Sequence, residues 1–211
     1  NRFNSFNMLL ILSRIYPIIS QPNPEISTMD STTPQLPWEC TRSEQGPEIP
    51  LFRTRYNWMR NPRNGTTLKA LVLEGGDWVN IAAITPEGKI IVVRQFRFGT
   101  GRTTTEFPAG LVEPDEEPLL AAQRELAEET GYTTDEWISL GSVDANAAFL
   151  NNQCHLWLAK NVTKTLETAL DASEDILVEE LSLDELKTEI ESGRFSNALS
   201  LLAAYKVFEL K

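Results

Sequence analysis

Three acidic residues near the middle of the chain have the spacing of one helical face. Glu125, Glu128 and Glu129 lie at positions i, i+3 and i+4, so a helix would bring their side chains together. Like charges at this spacing destabilise an isolated helix by roughly 0.2–0.5 kcal/mol per pair. A hard cation would offset that penalty, because Mg²⁺ prefers oxygen ligands from carboxylates, water and substrate phosphates. The three residues are compatible with a metal site, but their spacing alone favours an ordinary solvated acidic helix face.

The residues around the glutamates favour the metal site over the solvated face. Gly110 is followed by five residues and then Glu116, and seven further residues precede Arg124 and Glu125. The run LAEETGY completes the segment at 126–132. This pattern resembles the Nudix box, G-x5-E-x7-R-E-U-x-E-E-x-G-U with U apolar, at every fixed position. Tyr132 is a slightly polar choice for the last apolar position. We expect Gly110 to permit a tight backbone turn before the helix.

The resemblance implies roles for the residues of the box. Glu125, Glu128 and Glu129 would hold divalent cations, with the carbonyl of Ala109 as a further ligand. These metals would polarise phosphoryl oxygens and lower the pKa of a bound water. Glu128 and Arg124 would belong to the catalytic machinery, and Arg124 would pair with Glu116 to orient the metal site. Within one helix Arg124 could instead pair with Glu128 at i+4.

Flanking segments resemble the ADP-ribose pyrophosphatase branch of the Nudix hydrolases. These are VRQFR at 93–97, EFPAG at 106–110, and SGR followed by NA in 192–198. The resemblance implies that Arg97 contacts a substrate diphosphate, and Glu106 is a candidate for binding the base or sugar. Arg97 could also be a surface ion pair, and Glu106 a partner of nearby backbone. Arg94, which we expect on the same strand face as Arg97, is a further substrate-binding candidate or a surface charge.

The general base is expected outside the box, because the box glutamates would be occupied by metal. In the resembling branch this base is a loop glutamate, and the chain has EDILV at 174–178. Glu174 is the leading candidate, with Asp175 and Asp171 as alternatives and a solvated loop acid as the other interpretation. The chain departs from the branch at 144–152, where DANAAFLNN stands in place of a Ser-Pro-Gly loop. That departure leaves the identity of the substrate open.

Composition limits the partners. The 211 residues include 19 Lys and Arg against 30 Asp and Glu, a formal net charge of −11. This disfavours binding to nucleic acid, which needs clustered cationic side chains, but permits an anionic small molecule screened by metal and a few arginines. The single histidine, His155, excludes a multi-histidine zinc site. The two cysteines form no disulfide framework, so we predict a reducing, cytoplasmic location.

Alternating and periodic segments predict the order of the elements. Strands are expected at 51–60, 66–74, 77–85, 89–97, 136–144, 153–160 and 176–181, and helices over the box, at 182–192 and at about 196–209. This order predicts an α+β fold, and the resemblance implies the Nudix α/β/α sandwich. We assign 1–49 to an extension or arm, 50–85 to a small amino-terminal β subdomain and 86–211 to the Nudix domain. Residues 8–19 are apolar but too short to span a membrane, and we favour Met29 as the start over a targeting segment in the residues before it.

These observations predict hydrolysis of the diphosphate of a nucleoside diphosphate sugar with Mg²⁺, or alternatively Mn²⁺, as cofactor. ADP-ribose is the leading substrate, with AMP and ribose 5-phosphate as products. The alternatives are another diphosphate such as a GDP-sugar, or a Nudix-fold nucleotide sensor without turnover. No membrane partner is expected. Aromatic-rich strands in 51–85 exceed the needs of a Nudix core, so by resemblance we expect a homodimer in which they complete the partner's nucleotide site.

Overall fold

The computed structural model describes residues 36–171 and 174–208. The chain divides into two compact units. The first comprises the described residues up to Gly75 together with Asn146–Asn151, and the second comprises Gly76–Ala145 and the described residues from Asn152 onward. The predictions for residues 1–28 lie outside the described part of the chain.

The first unit is a three-stranded antiparallel sheet. Its strands β1 (Glu39–Ile49), β2 (Phe52–Arg60) and β3 (Thr67–Glu74) pair in the order β1-β2-β3. Residues 39–49, which we predicted as part of an arm, therefore form a strand, because β2 supplies a partner along nearly its whole length. Leu150 forms a parallel bridge with Leu73, so the segment 146–151 lies along the free edge of β3.

The second unit contains the remaining strands and the helices. The strands are β4 (Trp78–Ile84), β5 (Ile90–Arg97), β6 (Arg102–Glu106), β7 (Ala109–Leu111), β8 (Tyr132–Thr133), β9 (Glu136–Asp144), β10 (Gln153–Lys160), β11 (Thr163–Lys164) and β12 (Ile176–Leu181). The helices are α1 (Pro118–Thr130), α2 (Leu183–Glu191) and α3 (Ala198–Phe208). The main sheet runs β12-β5-β4-β10-β9, with β6 on β5 and β7 on β4. Strands β4 and β10 are parallel and the other pairs are antiparallel.

Helices cover both faces of this sheet. Val79, Ile81 and Ile91 are fully buried in one core cluster, which includes Ala122 and Leu126 of α1. The intervening residues of the same strands, such as Ala82, Ile90 and Val92, enter a second cluster with Leu186 of α2 and Ala203 of α3. Because strand side chains alternate between faces, β4 and β5 separate the two cores. The arrangement confirms the predicted α/β/α sandwich.

The structure differs from the predicted boundary of the amino-terminal subdomain. We placed 77–85 in that subdomain, but β4 is the central strand of the main sheet, between β5 and β10. The break between the units falls at Gly75–Gly76. The reason lies in burial: Val79, Ile81 and Ala82 are all fully buried, as expected for a strand covered on both faces. The short strands β6 and β7 were not predicted, because their residues show little alternation.

Local signals set the ends of the helices. Gly131 ends α1 in the left-handed conformation with φ 75°, as its position predicts. Ser182 and Glu185 form a capping box at the start of α2. The N-cap residue of α1, Glu117, makes no side-chain cap bond, and Pro118 follows it at the first helical position. No helix within the described ranges is both long enough and apolar enough to cross a bilayer.

Candidate active site

Helix α1 carries the three box glutamates against the short strand β7. The carboxyl group of Glu125 lies directly over Gly110, where a Cβ atom would come within 2.0 Å of the carboxyl carbon. We expected Gly110 to permit a tight turn, but it lies within β7 and its φ is not positive. Its function is to leave space, because any larger residue at 110 would displace the Glu125 carboxylate.

Arg124 joins the early and late parts of the box. Its Nε and Nη2 donate to the two carboxylate oxygens of Glu116 at 3.0 and 2.9 Å, and Nη2 also donates to the carbonyl of Leu111 at 2.9 Å. Its Nη1 contacts Glu125 at 2.8 Å and Glu128 at 3.2 Å. The resemblance implied the pairing with Glu116 and local spacing the pairing with Glu128, and the structure contains both.

Glu129 is the most buried of the three glutamates, with 4% of its surface exposed. Its carboxylate accepts a hydrogen bond from the Ala109 N–H at 3.1 Å. Burial raises the pKa of Glu129 to about 8, and the nearby charges of Glu125 and Glu174 act in the same direction against the Ala109 hydrogen bond. Burial also raises the pKa of Glu125, although Arg124 opposes the shift. In both cases the nearby donors and positive charge do not fully offset the cost of burying the ionised carboxylate.

The predicted metal ligands Ala109, Glu125, Glu128 and Glu129 occupy one region but do not converge on a single point. Arg124 holds Glu125 and Glu128, whereas the backbone of β7 holds Glu129. Among the described residues, no three acidic, His or Cys side chains are arranged to coordinate one ion. The donor chemistry nevertheless fits a hard divalent cation, because the available atoms are carboxylate and carbonyl oxygens. The raised pKa values of the two buried carboxyl groups fit as well, since a cation would stabilise their ionised forms.

Glu174 lies near the same group of carboxylates. Its charge contributes to the raised pKa values of Glu125 and Glu129 and acts on Arg97. Its own carboxylate accepts a hydrogen bond from the Asp171 N–H at 3.0 Å, within the loop before β12. That loop is anchored to the last turn of α1, where the Ala169 N–H donates to the Glu128 carbonyl at 2.8 Å.

Arg97 and Glu106 form a bidentate ion pair on neighbouring strands. Arg97 Nε donates to Glu106 Oε1 at 3.0 Å, and Nη2 donates to Oε2 at 2.7 Å. Glu106 is 1% exposed and also accepts hydrogen bonds from Thr104 and Asn197. Although burial acts to raise it, the pKa of Glu106 is lowered by these donors, Arg97 foremost. The structure thus brings Arg97 and Glu106 together, but it leaves Glu106 with its oxygens already occupied.

Arg94 lies on the other face of β5. We expected it to share a face with Arg97, but the two are three residues apart on a strand, and odd spacings alternate faces. Arg94 contacts Glu179 at 2.8 Å and Glu189 of α2 at 3.4 Å, and donates to Thr105 at 3.1 Å. It belongs to an ion-pair network on the side of α2.

Sequence reasoning missed the partners of Glu106. Thr104 is 4% exposed and precedes Glu106 on β6, while Asn197 reaches it from the start of α3. The signal for Asn197 was present, since the NA pair at 197–198 is one of the flanking motifs. The motif alone did not indicate which group the amide contacts.

A comparison with family models matches the NUDIX domain to residues 77–199. The chain belongs to the Nudix family. This Nudix chain is 36% identical over 142 residues to the ADP-ribose pyrophosphatase of Bacillus subtilis strain 168, covering 66% of this chain and 76% of that one. It is also 36% identical over 141 residues to the methanol dehydrogenase activator of Bacillus methanolicus, with the same two coverages.

A solved structure supports the fold of this Nudix chain. It is titled as the crystal structure of an ADP compounds hydrolase, and it matches with a TM-score of 0.72 over 82% of this chain and 94% of its own. At 21% sequence identity the likeness concerns the fold. Membership of the Nudix family agrees with the resemblance of the box.

Proposed function

We propose that this Nudix chain hydrolyses the diphosphate of ADP-ribose, giving AMP and ribose 5-phosphate, with Mg²⁺ as the preferred cofactor. The observation that carries the proposal is the placement of two buried carboxyl groups, Glu125 and Glu129, against the backbone of Ala109 and Gly110. Buried carboxyl groups with raised pKa values are typical of functional sites. The family and the printed activity of the Bacillus subtilis relative support the same choice.

The metal ligands in this proposal are Glu125, Glu128, Glu129 and the carbonyl of Ala109. A bound divalent cation supplies charge for the phosphoryl oxygens and acidifies a bound water. Arg124 orients the set through its two bonds to Glu116, which leave Nη1 as the atom that contacts Glu125 and Glu128. Mn²⁺ is the expected substitute, because it accepts the same oxygen ligands.

Glu174 is the proposed general base. It takes a proton from water, whose oxygen forms a new bond to phosphorus while the bridging P–O bond breaks. No covalent enzyme intermediate is required. Its place on a loop anchored to α1 supports the role, since a loop carboxylate can move when substrate closes the site.

Arg97 is the proposed contact to the diphosphate. Among the described residues no acceptor contacts its Nη1, whereas Nε and Nη2 are held by Glu106. One edge of the guanidinium is therefore fixed and another remains for an anion, which suits bidentate recognition of phosphate oxygens. The occupied oxygens of Glu106 favour a role in orienting Arg97 over direct contact with base or sugar. The position of Arg94 on the opposite face of β5 gives it no part in the proposed site.

The choice of substrate is tested by a panel. ADP-ribose, other ADP-sugars and GDP-sugars are incubated with Mg²⁺, and products are resolved by chromatography. We expect the highest kcat/KM for ADP-ribose and no turnover in the presence of a chelator. Preferred hydrolysis of a GDP-sugar would change the assigned substrate but not the family. That outcome would agree with the loop at 144–152, which departs from the ADP-ribose pyrophosphatase branch. Binding of every compound without turnover would identify a nucleotide sensor and overturn the enzyme assignment.

We further propose a homodimer in the cytoplasm. The sheet of the first unit exposes large apolar side chains, including Leu68 at 58% and Leu71 at 43%, as expected for a surface that packs against another chain. Cys40 and Cys154 are free thiols, which supports a reducing compartment. A fully active monomer in sedimentation at micromolar concentration would contradict the dimer.

A further inference from the structure

The start of α3 contacts the buried glutamate that orients Arg97. Asn197 precedes the first residue of α3, and its Oδ1 accepts hydrogen bonds from the Leu199 and Ser200 N–H groups at 3.0 and 3.2 Å. Its Nδ2 donates to Glu106 Oε2 at 3.0 Å. One amide thus caps the helix with its oxygen and binds Glu106 with its nitrogen.

Other contacts join the segment between α2 and α3, which contains Asn197, to β6. Arg102 donates to the Gly193 carbonyl at 3.1 Å and to Ser196 Oγ at 2.9 Å, and the Thr105 N–H donates to the Arg194 carbonyl at 3.0 Å. Unlike these contacts, the Asn197 bond reaches the carboxylate that holds Arg97. Glu106 Oε2 is shared between Arg97 Nη2 and Asn197 Nδ2, so a shift of the asparagine changes the position of the oxygen that Arg97 contacts.

We infer that Asn197 is a positioning residue for substrate binding, because its side-chain nitrogen holds Glu106 and thereby fixes the orientation in which Arg97 meets the diphosphate. This inference rests on the proposed function of Arg97. It assigns α3 a part in the active site although Asn197 itself does not touch substrate. Small displacements of a positioning group can change rates strongly, which makes the effect measurable.

Two substitutions separate the two functions of the amide. Asn197→Ser keeps a side-chain oxygen that can cap α3 but removes the donor to Glu106. Asn197→Ala removes both. We expect both variants to raise KM for ADP-ribose about tenfold with kcat changed less than about twofold. Both variants should lower Tm through the lost bond to the buried Glu106 carboxylate, and Asn197→Ala should lower it further, because only it also loses the cap. Ser196→Ala is the matched control, since Ser196 contacts Arg102 and not Glu106, and its KM should stay at the wild-type value.

A double-mutant cycle with Arg97→Gln decides whether the effect passes through Arg97. The glutamine amide can still donate a hydrogen bond towards Glu106 but carries no charge for the diphosphate. If Asn197 acts by positioning Arg97, Asn197→Ser adds little to KM in the Arg97→Gln background. Equal increases in both backgrounds, or no increase in the native one, would overturn the inference. If Asn197→Ser does not fold, Asn197→Thr, which also caps, is judged by the same criteria.

The outcome for Arg97→Gln alone separates this inference from the proposed function. An unchanged KM in that variant would refute Arg97 as the diphosphate contact, and the role of Asn197 with it. A raised KM in Arg97→Gln together with a wild-type KM in Asn197→Ser would refute only the role of Asn197.

Discussion

Two helical glutamates on opposite faces of the main sheet are almost equally buried but have opposite pKa shifts. Glu129 of α1 is 4% exposed and Glu189 of α2 is 7% exposed. Burial raises the pKa of Glu129 to about 8. Hydrogen bonding to Arg194 lowers the pKa of Glu189 to about 2, with Thr105 and the charge of Arg94 acting in the same direction against burial. Burial alone therefore does not decide the charge state.

The difference lies in the partners. Arg194 approaches Glu189 to 2.9 Å and Arg94 to 3.4 Å, and Thr105 donates at 2.8 Å. Glu129 has the Ala109 N–H as its hydrogen-bond donor and other carboxylates nearby. A glutamate that is paired with cations inside the protein stabilises the fold, whereas a buried glutamate without them is suited to an external cation. The comparison separates a carboxylate that is paired within the fold from one that we propose binds metal.

The largest expected effect is that of Glu129→Gln on turnover. Glutamine has the shape of the protonated acid and can accept from the Ala109 N–H, so the free energy of unfolding at pH 7 should change little. We expect kcat to fall by at least about 10²-fold, because even residues beyond the first ligand shell of a metal contribute up to that amount. Steady-state kinetics with Mg²⁺ and urea denaturation measure the two quantities. Near-normal activity would refute the metal-site assignment.

Glu174→Gln tests the proposed base on the same side of the sheet. Removal of an acid–base group costs roughly 10²–10⁴-fold, so we expect kcat to fall about 10²-fold or more with little change in metal and substrate affinity. Asp175→Asn is the matched control, one residue away in the same loop. Calorimetric titration with Mg²⁺ and steady-state kinetics provide the measurements. Unchanged activity, or loss of activity in Asp175→Asn alone, would exclude Glu174 as the base.

Sequence patterns identified the elements better than the contacts of their side chains. The β-branched run in 89–97 and the Gly131 stop of α1 are local properties, and the structure contains both the strand and the helix end. The resemblance to the Nudix box likewise located the acidic helix. Local signals of this kind act within a few residues, so they can be read from the chain before any tertiary structure is known.

Contacts between side chains that lie far apart in the sequence were harder to predict. Gly110 was interpreted through its own backbone, but the decisive neighbour is the Glu125 carboxylate on a later helix. Glu106 was a candidate for binding substrate or for hydrogen bonding to nearby backbone, and neither interpretation included the side chains of Arg97, Thr104 and Asn197 that contact its oxygens. Nothing in the sequence near Glu106 indicates that a residue 91 positions later donates a hydrogen bond to its carboxylate. Such choices depend on how the sheet and helices pack.

Glu189→Gln tests the structural member of the pair. The change from the usual pKa of 4.5 to about 2 corresponds to at most about 3 kcal/mol of stability at 1.36 kcal/mol per unit, and solvent screening of the half-exposed Arg194 reduces it. Because the folded pKa is depressed, this stability is present above pH 4.5 and is lost as pH falls through about 2. We expect urea denaturation at pH 7 to show a loss of about 1–3 kcal/mol in the variant, with activity within a few-fold of wild type.

The control for Glu189→Gln is Glu191→Gln in the same helix, because Glu191 is exposed. It should leave stability unchanged. A variant at Glu189 that is as stable as wild type would show that the arginines do not stabilise the folded state through this carboxylate. A large loss of activity without loss of stability would place Glu189 among the functional residues and remove the contrast with Glu129.

The smallest expected effect is a pH dependence of stability that originates at Glu129. The folded pKa of about 8 exceeds the usual 4.5, so between these values the folded state retains a proton that the unfolded chain releases. Without divalent metal, stability should therefore fall as pH rises from 6 to 8, and Tm should decrease by a few °C.

Added Mg²⁺ should raise Tm more at pH 8 than at pH 6, because the cation replaces the proton on Glu129. Glu129→Gln should flatten the metal-free profile, because it removes the group whose pKa is raised. Scanning calorimetry in a chelator and in Mg²⁺ measures both profiles, and a wild-type Tm that rises with pH in the chelator would contradict the raised pKa of Glu129.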